Sequence, residues 1–167
     1  MATTHLKGTP VQTSGALPRI GAKAKDFLLT DTKLQDKTLA DFAGRKILLN
    51  VFPSVDTPVC AMSVRRFNSE AAQVKNAVIL CVSRDLPFAL ARFCGAEGIE
   101  RVLTLSELRN RDFGKNYGLE LTTGPMAGLL ARSVIIIGLD GKVAYRELVD
   151  DITHEPDYET AIKELKK

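Results

Sequence analysis

The side chains best suited to chemistry in this sequence are its three cysteines, Cys60, Cys81 and Cys94. A cysteine thiolate is a nucleophile and a metal ligand, whereas a protonated, buried thiol behaves as a small apolar group. A dithiol motif is excluded, because the chain has no Cys-x-x-Cys pair. A zinc site is also not indicated, since His5 and His154 are scattered relative to the cysteines and no ligand spacing repeats. The question is therefore which cysteine reacts and which only packs.

Cys60 stands where a turn-rich segment enters a helix. The apolar, β-prone run 46–52 predicts a buried central strand, and the proline- and hydroxyl-rich segment 53–58 follows it directly. Catalytic groups favour this carboxyl end of a strand. The unpaired N–H groups and the dipole of a first helical turn favour a thiolate. The Thr57 hydroxyl can reach over the same turn, and the two prolines stiffen the segment and shield the sulfur from water.

An inert role for Cys60 fits the same pattern. Cys60 continues an apolar stripe with helical spacing, whose other members are Val64, Phe67, Ala71 and Val74. A cysteine on such a stripe is commonly a small buried side chain. Position and periodicity alone therefore leave catalysis and packing open as alternatives.

The other two cysteines differ in their surroundings. Cys81 lies within the apolar run 77–82, which predicts a second buried strand, so packing is the favoured interpretation. Cys94 lies just before Gly95, at the end of a short helix predicted over 85–93. Unwinding requires little free energy at such a position. Cys94 is therefore the better candidate for a second reactive thiol.

The remaining pattern predicts a mixed α/β sheet in a single domain of 167 residues. Strand, helix and strand over 46–83 form a parallel unit, and the segment 131–148, with its turn at Asp140-Gly141, predicts an antiparallel hairpin. Residues 4–13 predict a separate N-terminal β-hairpin. Further predicted elements are strands at 26–30 and 102–105, a helical turn at 113–118, and a closing helix with Pro156 in its first turn and Tyr158, Ile162 and Leu165 facing inward. This order is compatible with a thioredoxin-like fold.

Composition and charge narrow the function classes. With 45% hydrophobic and 26% charged residues, the chain is expected to be an ordinary soluble globular protein. The net charge is +3, but the basic residues are scattered, so no nucleic-acid partner is expected. No apolar run approaches the roughly 20 residues of a membrane span and no signal peptide is seen, which predicts a cytoplasmic protein without a membrane partner. No phosphate loop or metal-ligand set predicts a cofactor.

The segment around Cys60 resembles the peroxiredoxin signature, which is proline, three residues, threonine, two residues, cysteine. The matching residues are Pro53-Ser54-Val55-Asp56-Thr57-Pro58-Val59-Cys60, directly after an apolar strand. Nearly the whole chain is similar to one subfamily, the bacterial thiol peroxidases among the atypical two-cysteine peroxiredoxins. The similar stretches include 7–11, 24–27, 66–68, 83–89, 92–94, 113–118, 128–132 and 155–158.

This resemblance implies roles for individual residues. Cys60 matches the peroxidatic cysteine, which a hydroperoxide oxidises to a sulfenic acid, and Thr57 and Pro53 match its loop partners. Arg132 matches the arginine that holds the thiolate and the peroxide, a task that suits a permanent cation. Cys94 matches the resolving cysteine, which converts the sulfenic acid into an intramolecular disulfide. The resemblance also implies a thioredoxin-type reductant, a homodimer and a leaning toward organic hydroperoxides.

Disulfide formation predicts a conformational change. The two Cα atoms must come within roughly 4.4–6.8 Å, a distance that two intact helices seldom allow. We therefore expect the starts of the Cys60 and Cys94 helices to unwind locally during turnover. Five residues could line a pocket for organic substrates, although core packing explains most of them equally well: Leu121, Pro125, Met126, Leu129 and Leu130.

Two other functions remain open at this level. A redox sensor or relay would use the same cysteines to pass the oxidation to a partner protein, and it would not need to cycle with a reductant. A binding module on a thioredoxin-like fold would have inert cysteines and ordinary thiol reactivity at Cys60. A serine nucleophile is not favoured, because Ser63 and Ser69 have no histidine nearby in sequence and are expected to be solvated.

Overall fold

The computed structural model describes all residues, 1–167, as nine β-strands and four α-helices. The strands are β1 (Thr3–Leu6), β2 (Thr9–Gln12), β3 (Leu29–Thr30), β4 (Asp36–Lys37), β5 (Lys46–Val51), β6 (Ala77–Ser83), β7 (Leu103–Ser106), β8 (Ser133–Ile137) and β9 (Val143–Leu148). The helices are α1 (Pro58–Ala71), α2 (Pro87–Glu97), α3 (Asp112–Asn116) and α4 (Tyr158–Lys166), and a 3₁₀ helix covers Leu39–Phe42. None of the helices combines the length and apolar character that crossing a bilayer requires.

Seven strands form one mixed sheet in the order β4-β3-β7-β6-β5-β8-β9. The pairs β5–β6 and β6–β7 are parallel, because α1 and α2 carry the chain back over the sheet between them. Strands β8 and β9 continue the sheet antiparallel to their neighbours. The register places Asn50 beside Cys81, and Cys81 beside Thr104. The predicted mixed α/β, thioredoxin-like fold is confirmed.

The central strands are covered on both faces, so alternate side chains enter two different cores. Leu49 of β5 packs in the core that includes α3, whereas Leu48 packs in the core beneath α1, α2 and α4. That second core contains Cys60 and Cys81, and Cys94 packs against it. All three thiols therefore lie on the same side of the sheet.

The strand expected over 26–30 is shorter in the structure, where it covers only Leu29–Thr30. The Asp26 carboxylate accepts hydrogen bonds from the backbone N–H groups of Phe27 and Leu39, at 2.8 and 3.0 Å. Such side-chain bonds to nearby backbone compete with a strand ladder. The chain therefore turns before β3 begins.

The expected place of Pro156 in the last helix is wrong. Asp157 is the capping residue of α4, and its carboxylate accepts a hydrogen bond from the Thr160 N–H at 3.0 Å. Pro156 therefore lies outside the helix. The inward face is confirmed for Ile162 and Leu165, which are buried, while Tyr158 is only partly buried.

Helix α2 extends to Glu97, four residues beyond its predicted end. Gly95 does not stop it, because an interior glycine costs only about 1 kcal/mol relative to alanine. The helix ends at Gly98, whose φ of 64° is left-handed and whose N–H donates to the Cys94 carbonyl. Cys94 therefore lies in the last turn of α2. Freeing it would open the end of this helix, not the start that the sequence led us to expect.

The predicted N-terminal hairpin is present as β1 and β2. Lys7 and Gly8 form its two-residue turn, and both have positive φ, 51° and 79°, as such a turn requires. Asp151 accepts hydrogen bonds from their N–H groups, at 3.2 and 2.8 Å. Hydrogen bonds, first of all from the Thr153 hydroxyl, hold the pKa of Asp151 well below its usual range. The hairpin is thereby fastened to the loop after β9.

Candidate active site

Cys60 lies in the first turn of α1, with Thr57 as the capping residue and Pro58 as the first residue of the helix. Its side chain is fully buried. Its sulfur accepts a hydrogen bond from Arg132 Nη2 at 3.1 Å. A fixed cation at hydrogen-bond distance favours a thiolate over a thiol. The structure thus brings together two residues that stand far apart in the sequence.

Arg132 directly precedes β8, and only 2% of it is exposed. Its Nε donates to the Ile152 carbonyl at 2.8 Å, which fixes the plane of the guanidinium. Arg132 takes part in no ion pair, and its Nη2 donates to the sulfur of Cys60. Its Nη1 is buried and has no partner. Because an unpaired buried donor is unfavourable, this nitrogen is suited to bind a polar ligand atom.

The Thr57 hydroxyl donates to the Ser54 carbonyl at 2.9 Å, and the Thr57 N–H bonds to the same carbonyl at 3.2 Å. The hydroxyl proton is therefore already used, while the lone pairs of the oxygen remain free. From sequence, this hydroxyl could either donate to a substrate or accept from it. With its proton engaged, the Thr57 oxygen is available to accept a hydrogen bond.

A pocket of about 360 Å³ opens next to the Cys60 segment and brings three of the predicted site residues together, Pro53, Thr57 and Arg132, while Cys60 itself is fully buried and bonded to Arg132. Its lining residues are Leu6, Lys7, Pro53, Thr57, Pro58, Val59, Met126, Arg132, Ile152 and Thr153. A larger cleft of about 450 Å³ lies between α1 and α4, but its lining is mostly charged and includes none of the predicted site residues. The pocket at Cys60 is therefore the candidate substrate site.

Most of the residues that sequence suggested for this pocket lie elsewhere. Met126 alone among the five lines it. Leu121 and Leu130 are buried in the cores, Leu129 packs against a small core cluster, and Pro125 is exposed. The apolar wall instead comes from the N-terminal hairpin and from the loop after β9, because Asp151 fastens these two segments together.

Cys94 is half-buried in the last turn of α2, and its sulfur lies 3.5 Å from the Thr104 hydroxyl on β7. Burial raises the pKa of the Cys94 thiol, and the contact with Thr104 opposes this only in part. Cys94 and Cys60 are both free thiols here, on different helices. The packed conformation therefore keeps the second thiol protonated and apart from the first.

Cys81 is fully buried on β6, as predicted, and the side-chain amide of Asn50 donates to its sulfur at 3.6 Å. Burial raises the pKa of this thiol from 9.0 to about 12. A thiol in this environment stays protonated and has no path to a substrate. The structure gives Cys81 a packing role.

The buried thiol of Cys81 predicts a loss of stability at alkaline pH. In the unfolded chain this thiol ionises near 9.0, whereas in the folded chain it ionises only near 12. The unfolded state therefore loses its proton first, and the contribution of Cys81 to stability falls as pH rises above 9.0. Urea unfolding measures this as the difference in the free energy of unfolding between the native protein and Cys81→Ala. As pH rises across this range, that advantage of the native protein should shrink by up to about 1.4 kcal/mol per pH unit. An advantage that stays constant would contradict this.

The expectation that Ser63 is solvated is wrong. Ser63 is fully buried, donates to the Cys60 carbonyl at 2.8 Å and accepts from the Asn50 amide at 3.2 Å. These bonds support the first turn of α1 from beneath. The signal was present in the sequence, since Ser63 stands three residues after Cys60 and so shares its helix face. Ser69 is exposed, as expected.

A second arginine, Arg84, has a side chain that is only 7% exposed, and the sequence pattern gave it no role. It pairs with Glu107 at 2.6 Å and with Glu120 at 2.7 Å, and it donates to the Gly128 carbonyl. These partners stand 23, 36 and 44 residues away. The cluster fixes the long connection that leads into Arg132 and so contributes to its position.

A buried cysteine at a helix start, a loop of proline and threonine, and a buried arginine beside the sulfur form a candidate thiol site on a thioredoxin-like fold. The sequence profile of the Redoxin family matches residues 19–162. The chain is 53% identical over 165 residues to a thiol peroxidase from Corynebacterium glutamicum, and 52% identical to one from Mycobacterium bovis, with 99% of each chain covered. It superposes on the crystal structure of a peroxiredoxin-like protein from Aquifex aeolicus with a TM-score of 0.94, at 37% identity, covering 99% of this chain and 96% of that one.

The chain therefore belongs to the Redoxin family and, within it, to the bacterial thiol peroxidases. It is a peroxiredoxin-type enzyme, a peroxidase that depends on a thiol. The resemblance seen in the sequence and the activity it implied are confirmed. Inert cysteines on a binding module are not compatible with this activity.

Proposed function

We propose that Cys60 is the peroxidatic cysteine, and the observation that carries this assignment is the hydrogen bond from Arg132 Nη2 to its sulfur. The thiolate attacks the terminal oxygen of a hydroperoxide, R–O–O–H, so that an S–O bond forms as the O–O bond breaks. The released RO⁻ takes a proton and leaves as an alcohol, or as water when R is hydrogen. Two electrons pass from sulfur to the peroxide, and Cys60 becomes a sulfenic acid.

Arg132 and Thr57 orient the peroxide from two sides. The unpaired Nη1 of Arg132 donates to a peroxide oxygen, which gains negative charge as the O–O bond breaks. The oxygen of Thr57 accepts a hydrogen bond from the hydroperoxide O–H, since its own proton is donated to the Ser54 carbonyl. Pro53 lines the same pocket, has no N–H to hydrate and limits the access of water to the sulfur.

Cys94 is the proposed resolving cysteine. Its thiolate attacks the sulfur of the sulfenic acid, an S–S bond forms, the S–O bond breaks, and hydroxide leaves as water after taking a proton. The two cysteines lie on separate helices, so the first turn of α1 and the last turn of α2 must unwind. Among the bonds that break are those of Ser63 with the Cys60 carbonyl and of Gly98 with the Cys94 carbonyl.

A thioredoxin-type dithiol supplies the two electrons that reduce this disulfide and close the cycle. The substrates we propose are hydrogen peroxide and organic hydroperoxides. The pocket supports the second class, because Leu6, Met126 and Ile152 give it an apolar wall next to the sulfur.

Removing Cys94 tests the cycle. With thioredoxin, its reductase and NADPH, we expect the native protein to consume hydroperoxide continuously. Cys94→Ser should consume one equivalent and then stop, because the sulfenic acid has no resolving thiol. A sulfenic-acid probe with mass spectrometry should find the modification on Cys60, and peptide mapping of the oxidised native protein should find the Cys60–Cys94 disulfide. Cys81→Ala serves as the matched control and should turn over normally.

The same measurements separate the peroxidase from the redox sensor or relay. A native protein that is oxidised once and is not recycled by thioredoxin would favour a sensor, or a different reductant. Continued turnover by Cys94→Ser at the native rate would remove Cys94 from the cycle. A disulfide that joins Cys60 to Cys81 would reassign the resolving step.

We also propose a cytoplasmic homodimer. The reducing cytoplasm suits an enzyme whose three cysteines are free thiols. Large apolar side chains lie exposed on the helices that carry the redox cysteines, with Leu86 54%, Phe88 66% and Met62 46% exposed, and a second copy of the chain would cover them. Sedimentation should give twice the mass of one chain for the native protein and a monomer for Phe88→Glu. A monomeric native protein would contradict the dimer.

A further inference from the structure

Asp85 lies between the end of β6 and the start of α2, and its carboxylate accepts three hydrogen bonds. Oδ1 accepts from the Ser54 hydroxyl at 2.7 Å. Oδ2 accepts from the Val55 N–H at 2.8 Å and from the Ser83 hydroxyl at 2.6 Å. No cation pairs with this carboxylate. Its charge is therefore used to hold backbone and hydroxyl donors, which makes each of these bonds stronger than a neutral one.

Ser54 is the centre of the loop that leads to Cys60. Its carbonyl accepts both the N–H and the hydroxyl of Thr57, and its hydroxyl accepts the Asp56 N–H at 3.2 Å. Thr57 and Pro53, the residue that directly precedes Ser54, line the substrate pocket. The position of the Thr57 hydroxyl is thus fixed through Ser54 to Asp85, which itself does not line the pocket.

The backbone of Asp85 is tied to the sheet and continues directly into α2. The Ser106 hydroxyl donates to the Asp85 carbonyl at 2.5 Å, and the Asp85 N–H donates to the Ser83 hydroxyl at 3.3 Å. The next residue, Leu86, caps α2, and its carbonyl accepts the first helical bond from Leu90 at 3.1 Å. One residue therefore connects the loop before Cys60 with the first turn of the helix that carries Cys94.

We propose that Asp85 is a positioning residue that holds the Ser54–Thr57 loop in its reactive conformation and couples the opening of this loop to the opening of the first turn of α2. Its role in the reaction rests on the proposed function of Cys60 and Cys94. The carboxylate can satisfy Ser54 and Val55 only while the loop and the start of α2 both keep their places. Movement of either side leaves a donor without its acceptor, which is unfavourable away from water. The two segments therefore open together.

A surface ion pair between Arg92 of α2 and Asp56 provides a matched control. It joins the same two segments at 2.9 Å, but its side chains are 64% and 59% exposed. Exposed pairs of this kind contribute little, because water and salt screen them. Arg92→Ala removes a bridge of the same topology without touching the carboxylate of Asp85.

Hydrogen exchange of the reduced protein tests the coupling independently of turnover. Asp85→Asn replaces one accepting oxygen by an NH₂ group, and we expect the hydrogen-bonded amides of 55–57 and that of Leu90, the first bonded amide of α2, to exchange about tenfold faster. Ser54→Ala changes only the loop side, yet it should also speed exchange in α2. Arg92→Ala should leave both segments at the native rates. The Ser54 variant keeps the test decisive if Asp85→Asn fails to fold.

Kinetics of the separate steps give a second readout. We expect Asp85→Asn to lower the second-order rate constant of Cys60 oxidation about 10- to 100-fold, because the loop that orients the peroxide is displaced. Disulfide formation from the sulfenic acid should not be slower than in the native protein. Cys60 in the double variant Asp85→Asn with Ser54→Ala should be oxidised no more slowly than in Asp85→Asn alone, because both substitutions disrupt the same hydrogen bond between Ser54 and Asp85.

Two outcomes would overturn the coupling. One is a native exchange rate in α2 when Ser54 is changed. The other is a double variant whose loss in the oxidation rate constant equals the product of the losses in the two single variants. Either result in an active native enzyme would refute the role of Asp85 and leave the peroxidase cycle intact. An inactive native protein would refute the proposed function, while the exchange data would still decide whether the loop and α2 open together.

Discussion

Replacing Cys60 by serine is expected to abolish peroxidase turnover, with a loss of at least about 10³-fold. A serine hydroxyl is not ionised near neutral pH and cannot form the sulfenic acid that the cycle needs. Serine is close to cysteine in size and can still accept the hydrogen bond from Arg132. The loss should therefore reflect chemistry and not unfolding. Hydroperoxide consumption with a thioredoxin system measures it, and thermal unfolding checks the fold.

Cys81→Ala is the control for this substitution, because it removes a fully buried thiol from the same core without touching the pocket. It should keep native turnover. If Cys60→Ser retained activity, the site would have to be placed elsewhere in the chain. If only Cys81→Ala lost activity while remaining folded, the buried thiol would be the reactive one.

Arg132→Lys is expected to lower the second-order rate constant for oxidation of Cys60 by about 10²–10³-fold, the usual effect of losing a preorganised donor. Arg132 donates from Nε to the Ile152 carbonyl and from Nη2 to the sulfur of Cys60, and its Nη1 is unpaired. A lysine ammonium keeps the charge but cannot reproduce this planar set of donors. Arg132→Met should be slower still, since it removes the cation. The rate constants follow from reactions that are stopped at a series of times by a reagent that traps the unreacted thiols.

Arg146→Lys is the matched control for Arg132. Arg146 lies on β9 and donates to the Leu17 carbonyl at 2.9 Å, but it has no contact with a thiol. Its replacement should leave the oxidation rate unchanged. Equal losses in the two lysine variants would show that Arg132 acts through the fold and not through the sulfur.

Much of the fold follows from local patterns in the sequence. No tertiary information was needed to predict β5, β6 and α1. The apolar runs of the two strands and the three-and-four spacing of the helix are local properties of the sequence. The elements that differed depend on contacts made from a distance or on capping geometry. The strand predicted over 26–30 is shortened to β3 because the Asp26 side chain binds the Leu39 N–H, and α4 begins after its capping residue Asp157, which leaves Pro156 outside the helix.

The candidate site was predictable only in part. Position left Cys60 open between catalysis and packing, and the resemblance to thiol peroxidases decided for catalysis, which the comparisons support at the level of the enzyme class. The same resemblance pointed to Arg132, which no periodicity could select. Asp85 and Arg84 were not found, because their partners lie on segments that the sequence alone does not place beside them.

By itself, the sequence determined the central strands and the first helix, where Cys60 stands relative to the strand before it, and that Cys81 is buried. These are consequences of composition, spacing and turn residues within short windows. The tertiary structure alone decided that Arg132 reaches Cys60 across 72 residues, that Cys94 sits inside the last turn of α2, and that the substrate pocket is walled by the N-terminal hairpin. Such contacts depend on the order and register of the sheet strands, which bring together residues that no local pattern relates.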